Sequence, residues 1–383
     1  MIQNADGQML LYRTRLLLEE GQNDAALEAI QAIRVEDEKQ QQDVAYLLAW
    51  CYVQRKQWND ALQALKPLVN QCDEQDAPEA LLERERAALS LLYLGLAAVA
   101  LAHFEDASLH FTYCLKVLHD RRVHLPAVRI KARCSLAMTC SMRGLYPPAI
   151  QHYEEALRQC RHYHHEQEIP HVYYGLADAY LRSGDYPKAS SAAQEALQLF
   201  EHQEDQTMVA RTHNLLGRIC FSSNDYQQAS EHYTQSLTIA THENNFQMVA
   251  LNCAALANLS LAQGQIEAAK RHSHAALDVL AHVEDPYCQG GTYNVVGKVV
   301  LEEARSSEGA SQRALLEEAA AWFDKAQAQL AIARAYPDLA EVYGYHAQAL
   351  EALGRVEEAI ECWRSGYEAL SQKQLVEKSE PPA

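Results

Sequence analysis

Small and large apolar positions alternate along the chain with a long, steady period. A small residue, usually Ala, stands about five residues after a Gly or other turn residue and about four before a large side chain. Gly144, Tyr146 and Ala149 precede Tyr153; Gly184, Tyr186 and Ala189 precede Ala193; Asn224, Tyr226 and Ala229 precede Tyr233; Gly354, Val356 and Ala359 precede Trp363. The ladder runs through Ala26, Ala61, Ala107, Ala149, Ala189, Ala229, Ala269, Ala319 and Ala359, with spacings of 35, 46, 42, 40, 40, 40, 50 and 40. A second small residue lies twelve positions earlier at Ala49, Gly95, Ala137, Ala177, Gly217, Ala257 and Ala347. Gly297 takes that place in the eighth unit but lies 22 residues before Ala319, which indicates a polar insertion near Glu302–Arg313.

Apolar residues at three-to-four spacing on both sides of a short turn predict two amphipathic helices per unit. Ser183-Gly184-Asp185-Tyr186 and Ser223-Asn224-Asp225-Tyr226 are such turns. Small residues let the two helix axes approach, and aromatic residues fill the space between hairpins. One hairpin cannot bury its apolar face, but a stack can. The expectation is an all-α solenoid of about nine hairpins over residues 1–371. Its first unit is degenerate, with Thr14 at the small position, and residues 372–383 form a flexible tail. Gln71–Glu79 and the joint at His119–Pro126 are further expected points of mobility.

The segment from Tyr173 to Ala189, Tyr-Tyr-Gly-Leu-Ala-Asp-Ala-Tyr-Leu-Arg-Ser-Gly-Asp-Tyr-Pro-Lys-Ala, resembles a tetratricopeptide repeat, as does Asn214–Ala229. The usual period of that repeat is near 34. A period of 40 implies longer helices, similar to those of the Pins/LGN scaffolds and of the Rap-type, peptide-sensing regulators of Gram-positive bacteria. The resemblance covers residues 8–371. It implies a right-handed superhelix whose first helices line a concave groove, and a role in binding peptide or protein segments.

In such a stack, residues at −6, −3, +1 and +4 from the first-helix small residue share one helical face. Those offsets divide the groove into two parts. Tyr46, Trp50, Leu92, Leu96 and Met138 make an apolar stretch suited to hydrophobic anchors or a helix. Further along, Tyr174, Asp178, Arg211, Asn214, Arg218, Asn258, Asn294 and Lys298 make a polar one. Asn both donates and accepts, so it can pair with a peptide backbone. Arg can hold a carboxylate with two parallel bonds. An extended or acidic peptide is therefore the expected ligand.

Composition narrows the function further. Thirty-three Lys and Arg against 51 Asp and Glu leave a net charge of −18, which argues against phosphate-backbone contacts and hence a nucleic-acid partner. The ten cysteines contain no Cys-x-x-Cys pair, consistent with buried free thiols in a reducing cytoplasm. Met-Ile-Gln-Asn-Ala-Asp at the start lacks the basic and apolar segments of a secretory signal. The longest uncharged run, Ala87–Phe104, reads as a packed or groove-lining helix rather than a membrane span.

Cys160, His162, His164, His165 and His171 cluster near one turn, but ligands must converge on one point to hold a metal, and none is expected here. No nucleophile elbow, phosphate loop, dinucleotide fingerprint or zinc-protease motif occurs in a suitable context. The expected role is a non-catalytic, cofactor-free adaptor or sensor. The alternative is a peptide-responsive regulator similar to the Rap group, acting on a partner protein or its phosphorylation. No helix-turn-helix segment precedes the first repeat.

Overall fold

The computed structural model describes residues 2–35, 37–72, 81–119 and 123–378. The segments 73–80, 120–122 and 379–383 lie outside that description, and with them most of the Gln71–Glu79 stretch, part of the His119–Pro126 joint and the end of the tail. The described residues are 84% helix, in 18 helices, with no strand among them. Contacts divide it into two compact units, Met1–Gly175 and Leu176–Ala383.

The first unit contains α1 (Ile2–Glu19), α2 (Asn23–Gln31), α3 (Glu38–Gln54), α4 (Trp58–Cys72), α5 (Leu81–Ala100), α6 (Phe104–Val117), α7 (Pro126–Met142) and α8 (Tyr146–His162), then a 3-10 turn over Glu166–Glu168. The division falls within α9 (Ile169–Ser183). The second unit continues with α10 (Tyr186–His202), α11 (Gln206–Ser222), α12 (Tyr226–His242), α13 (Phe246–Ala262), α14 (Ile266–Leu280), α15 (Pro286–Arg305), α16 (Gly309–Ile332), α17 (Tyr336–Ala352) and α18 (Val356–Lys378). In the first unit, consecutive helices pair as α1–α2, α3–α4, α5–α6 and α7–α8. In the second they pair as α11–α12, α13–α14, α15–α16 and α17–α18.

The punctuation has a local cause. Residues 144, 164, 184, 204, 224, 244 and 264 all adopt positive φ, so a left-handed residue ends a helix every twenty positions. At Gly184 (φ 83°) the backbone N–H reaches the Leu181 carbonyl at 3.1 Å, and the Asp185 N–H reaches the Tyr180 carbonyl at 3.0 Å. Carbonyls that the helix end would leave open are thereby satisfied. The next residue starts the following helix. Asp205, Asp225, Asn245 and Asp285 each accept a hydrogen bond from the backbone N–H three residues on, at 3.0–3.1 Å, which satisfies an orphan donor. Glu204 and Asn244 hold the left-handed turn without a glycine.

Packing follows the ladder. Ala26, Ala61, Ala107, Ala149, Ala189, Ala229, Ala269, Ala319 and Ala359 are all buried. Where the second small position is Gly, at 95, 217 and 297, it seats an aromatic ring. A methyl group added at Gly217 would lie 2.6 Å from the Tyr233 ring, and one added at Gly297 would lie 2.6 Å from that of Phe323. The predicted insertion does not form a loop. It lengthens the eighth hairpin, whose helices reach 20 and 24 residues. α18 continues to Lys378, past the expected helix end at residue 371.

Candidate functional site

Within each unit the first helices of neighbouring hairpins touch one another: α1–α3, α3–α5 and α5–α7 in the first, α11–α13, α13–α15 and α15–α17 in the second. Side chains one helical step off the packed rows therefore fall on a common first-helix layer.

In the first unit this layer is aromatic. Trp50 stacks on Tyr93 with ring centroids 6.2 Å apart, and Tyr46 lies 5.9 Å from Tyr93 and 6.1 Å from Trp50. Tyr46, Trp50 and Leu96 are half-buried, and Met138 is exposed. Leu92 differs from the open-wall expectation. It is only 3% exposed, because α5 is sandwiched between neighbours and turns that position into its core.

In the second unit the layer is polar. The Asp178 carboxylate sits between two guanidinium groups, accepting from Arg182 Nε at 2.6 Å and from Arg218 Nη1 at 3.4 Å. Asp178 and Arg218 occupy the same offset in successive repeats, forty residues apart, and Arg218 keeps 41% of its side chain open. Arg182 and Arg218 also approach a second acidic pair. Tyr287 Oη lies 3.5 Å from Asp338 Oδ1. Desolvation, helped by the Asp338 charge, pushes the Tyr287 phenol up to about 12, while Arg218 and Arg182 pull the other way; with 47% of the residue open to solvent, the direction matters more than the size of the shift. Burial and Glu341 raise the Asp338 carboxyl, and Arg182 opposes them. The Arg182–Asp178–Arg218 bridge and the Tyr287–Asp338 pair thus act on each other through charge.

The remaining polar candidates divide by what holds them. Asn214 donates to Asn252 at 2.9 Å; Asn252, fully buried, donates to Ser236 Oγ and the Met248 carbonyl, each at 2.8 Å. Asn214 is therefore anchored in a buried polar network. Lys298 pairs with Glu341 at 3.2 Å and lies over the Tyr345 ring at 4.9 Å. Arg211 is exposed, and Tyr174 and Asn258 are half-buried. Asn294 is only 8% exposed, and its Oδ1 has no hydrogen-bond partner, so an acceptor is left unsatisfied beside this layer.

Arg182, Tyr287 and Asp338 were not among the candidates read from spacing. They lie outside the four offsets, and Tyr287 and Asp338 meet across 51 residues of sequence. Of the cysteine and histidine cluster, Cys160 is buried while His162, His164 and His171 are exposed. No three His, Cys, Asp or Glu among the described residues are placed to hold a metal ion. No helix among the described residues is long and apolar enough to cross a membrane.

Paired antiparallel helices closed by small-residue and aromatic contacts define a helical-hairpin repeat protein. Two tetratricopeptide-repeat profiles match the sequence, over residues 17–85 and 168–242, so the chain carries tetratricopeptide repeats. Solved structures share its fold over nearly the whole length. Apo RapI is 12% identical with a TM-score of 0.66, covering 98% of this chain and 99% of that one. The apo quorum sensor NprR from B. thuringiensis is 17% identical with a TM-score of 0.67, covering 96% and 99%. A Rap protein complexed with competence and sporulation factor is 15% identical with a TM-score of 0.65, covering 97% and 99%. At these identities the likeness is one of fold. Among curated proteins, no sequence matches the chain.

Proposed function

We propose that the chain is a non-catalytic, peptide-responsive sensor whose first-helix layer in the second unit receives an extended peptide segment. The observation that carries this reading is the Arg182–Asp178–Arg218 bridge. Two guanidinium groups face one carboxylate, in a chain with an excess of acid, and Arg218 stays partly open. A peptide carboxylate reaching Arg218 would compete with Asp178, and Asn258 and Asn294 stand on the same layer to pair with peptide amides. Several fold neighbours support the peptide reading, among them the Rap protein solved with competence and sporulation factor. In this reading ligand binding alters how the hairpins pack and so changes affinity for a second protein. A plain adaptor that holds a folded partner is the second reading, favoured by the aromatic layer of Tyr46, Trp50 and Tyr93 in the first unit.

Melting the chain with pools of short peptides separates the two. A cognate peptide at a hundredfold excess over its dissociation constant stabilises by about 2.7 kcal/mol. A rise in melting temperature with a short peptide is the expected result. A rise only with a folded protein would replace the sensor reading by the adaptor one.

A further inference from the structure

The last helix carries an apolar stripe. On α18, Val356, Ile360, Trp363, Tyr367 and Leu370 are all exposed, with spacings of 4, 3, 4 and 3 that describe a helix–helix seam. In earlier hairpins the positions four and eleven after the ladder alanine are closed: Phe111, Tyr153 and Phe323 at the first, Leu118, Phe200 and Leu330 at the second. In the last hairpin the equivalent residues, Trp363 and Leu370, are each 46% exposed, and Tyr367 is 72% exposed. On α18 aromatic and branched side chains thus stand open at positions that earlier hairpins cover.

We propose that α18 is a homodimer surface on which a second copy of this chain docks its own α18 antiparallel about a two-fold axis. Two arguments select that occupant. The first is size. With aromatic side chains contributing about 150–250 Å² each, the five residues leave on the order of 500 Å² of apolar surface open, the upper range for a monomer. Two copies bury about 1,000 Å², the threshold of a specific interface.

The second is self-complementarity. Antiparallel seams place one stripe position against the other, which sets Ile360 against the partner's Trp363 and Val356 against the partner's Tyr367, a small residue facing a large one in each layer. The same register brings the edge residue Glu357 to the partner's Arg364, and Arg364 to the partner's Glu357. Among the described residues Arg364 pairs with Glu361, at 3.3 Å on an exposed surface, a contact weak enough to exchange. Closed two-fold pairing covers the α18 stripe of both copies at once.

Sedimentation equilibrium of the full chain, with circular dichroism to follow helix content, tests this. The wild type should sediment as a dimer of the 43.0 kDa chain. Ile360→Glu with Tyr367→Glu should be monomeric at unchanged helix content. Glu357→Lys and Arg364→Glu should each weaken the dimer at least about tenfold, and the two together should restore it. A monomeric wild type, or a dimer that survives the double glutamate variant, overturns the proposal. So does a charge swap whose two effects simply add. Met9, Tyr12 and Leu16 on α1 are also exposed, so growth to open-ended oligomers would instead mean head-to-tail stacking and would equally overturn the two-fold pairing.

Discussion

Phe323→Ala should destabilise the second unit by about 3–5 kcal/mol, the range for removing a fully buried aromatic side chain. The Phe323 ring is enclosed in a cluster with Val296, Leu330 and Val342 and stacks on Tyr345 at 6.2 Å. Its edge faces Gly297, where an added Cβ would stand 2.6 Å away. That contact gives the prediction a sign that packing alone would not. Gly297→Ala in the wild type should cost about 1–3 kcal/mol through overpacking. In the Phe323→Ala background the same methyl enters vacated space and removes a helix glycine, so it should stabilise by up to about 1 kcal/mol. Urea unfolding followed by far-ultraviolet circular dichroism reads both effects. Equal effects of Gly297→Ala in the two backgrounds would contradict this packing. Because repeat arrays unfold by neighbouring units, cleavage in limited proteolysis should concentrate in α15–α18.

The second large effect is loss of stability in mild acid. His213 and His232 face each other Nδ1 to Nδ1 at 3.2 Å, their rings stacked at 5.4 Å. One nitrogen must carry a proton and the other must accept it, so the pair is held when both rings are neutral. Burial, and then the facing His232, bring His213 down to about 4 from its ordinary 6.5. Burial also lowers His232, and lowers His152 with Arg133 adding to it, and His272 with Arg271 adding to it. His346 is lowered by burial and by Arg355, against Asp324 and Glu358.

A base with a depressed folded-state pKa binds more protons unfolded than folded. Its contribution is therefore complete above the unfolded value of 6.5 and is lost as the pH falls towards the folded one. For His213 alone the loss at pH 5 is about 2 kcal/mol. Carboxylates held below their ordinary values, such as Glu155 and Glu358, act in a lower window, below about 4.5. Denaturation at pH 7 and at pH 5 should show the decline, and His213→Phe should remove about 2 kcal/mol of it. A variant with an undiminished slope would show that the His pair is not its source.

The repeat was legible because its cause is local. Ala189 and Ala229 must be small where two helix axes approach, and Gly184 and Asn224 must accept a left-handed backbone, so both leave a residue-level mark. The turn at Glu204 left none, since Glu adopts the positive φ there that glycine or asparagine would have signalled. Leu92 was placed on an open wall because offsets along one helix do not reveal which neighbours cover it. The His213–His232 contact crosses a hairpin, and the Tyr287–Asp338 contact joins hairpins 51 residues apart. Neither is encoded in a single helix period. Asp178 and Arg218 were found because they recur at one offset, and Asn294 because it recurs at another that it shares with Asn214, but the offsets did not name their partners.

The central claim is that a peptide is held by the first-helix layer of the second unit. The most direct measurement is a calorimetric titration of the stabilising peptide into wild type and into Arg218→Glu with Asn258→Ala, both checked for equal melting temperature. Removing a charge-assisted contact and an amide contact should weaken binding about tenfold to a hundredfold. Unchanged affinity in the double variant would contradict the claim and place the ligand elsewhere on the chain.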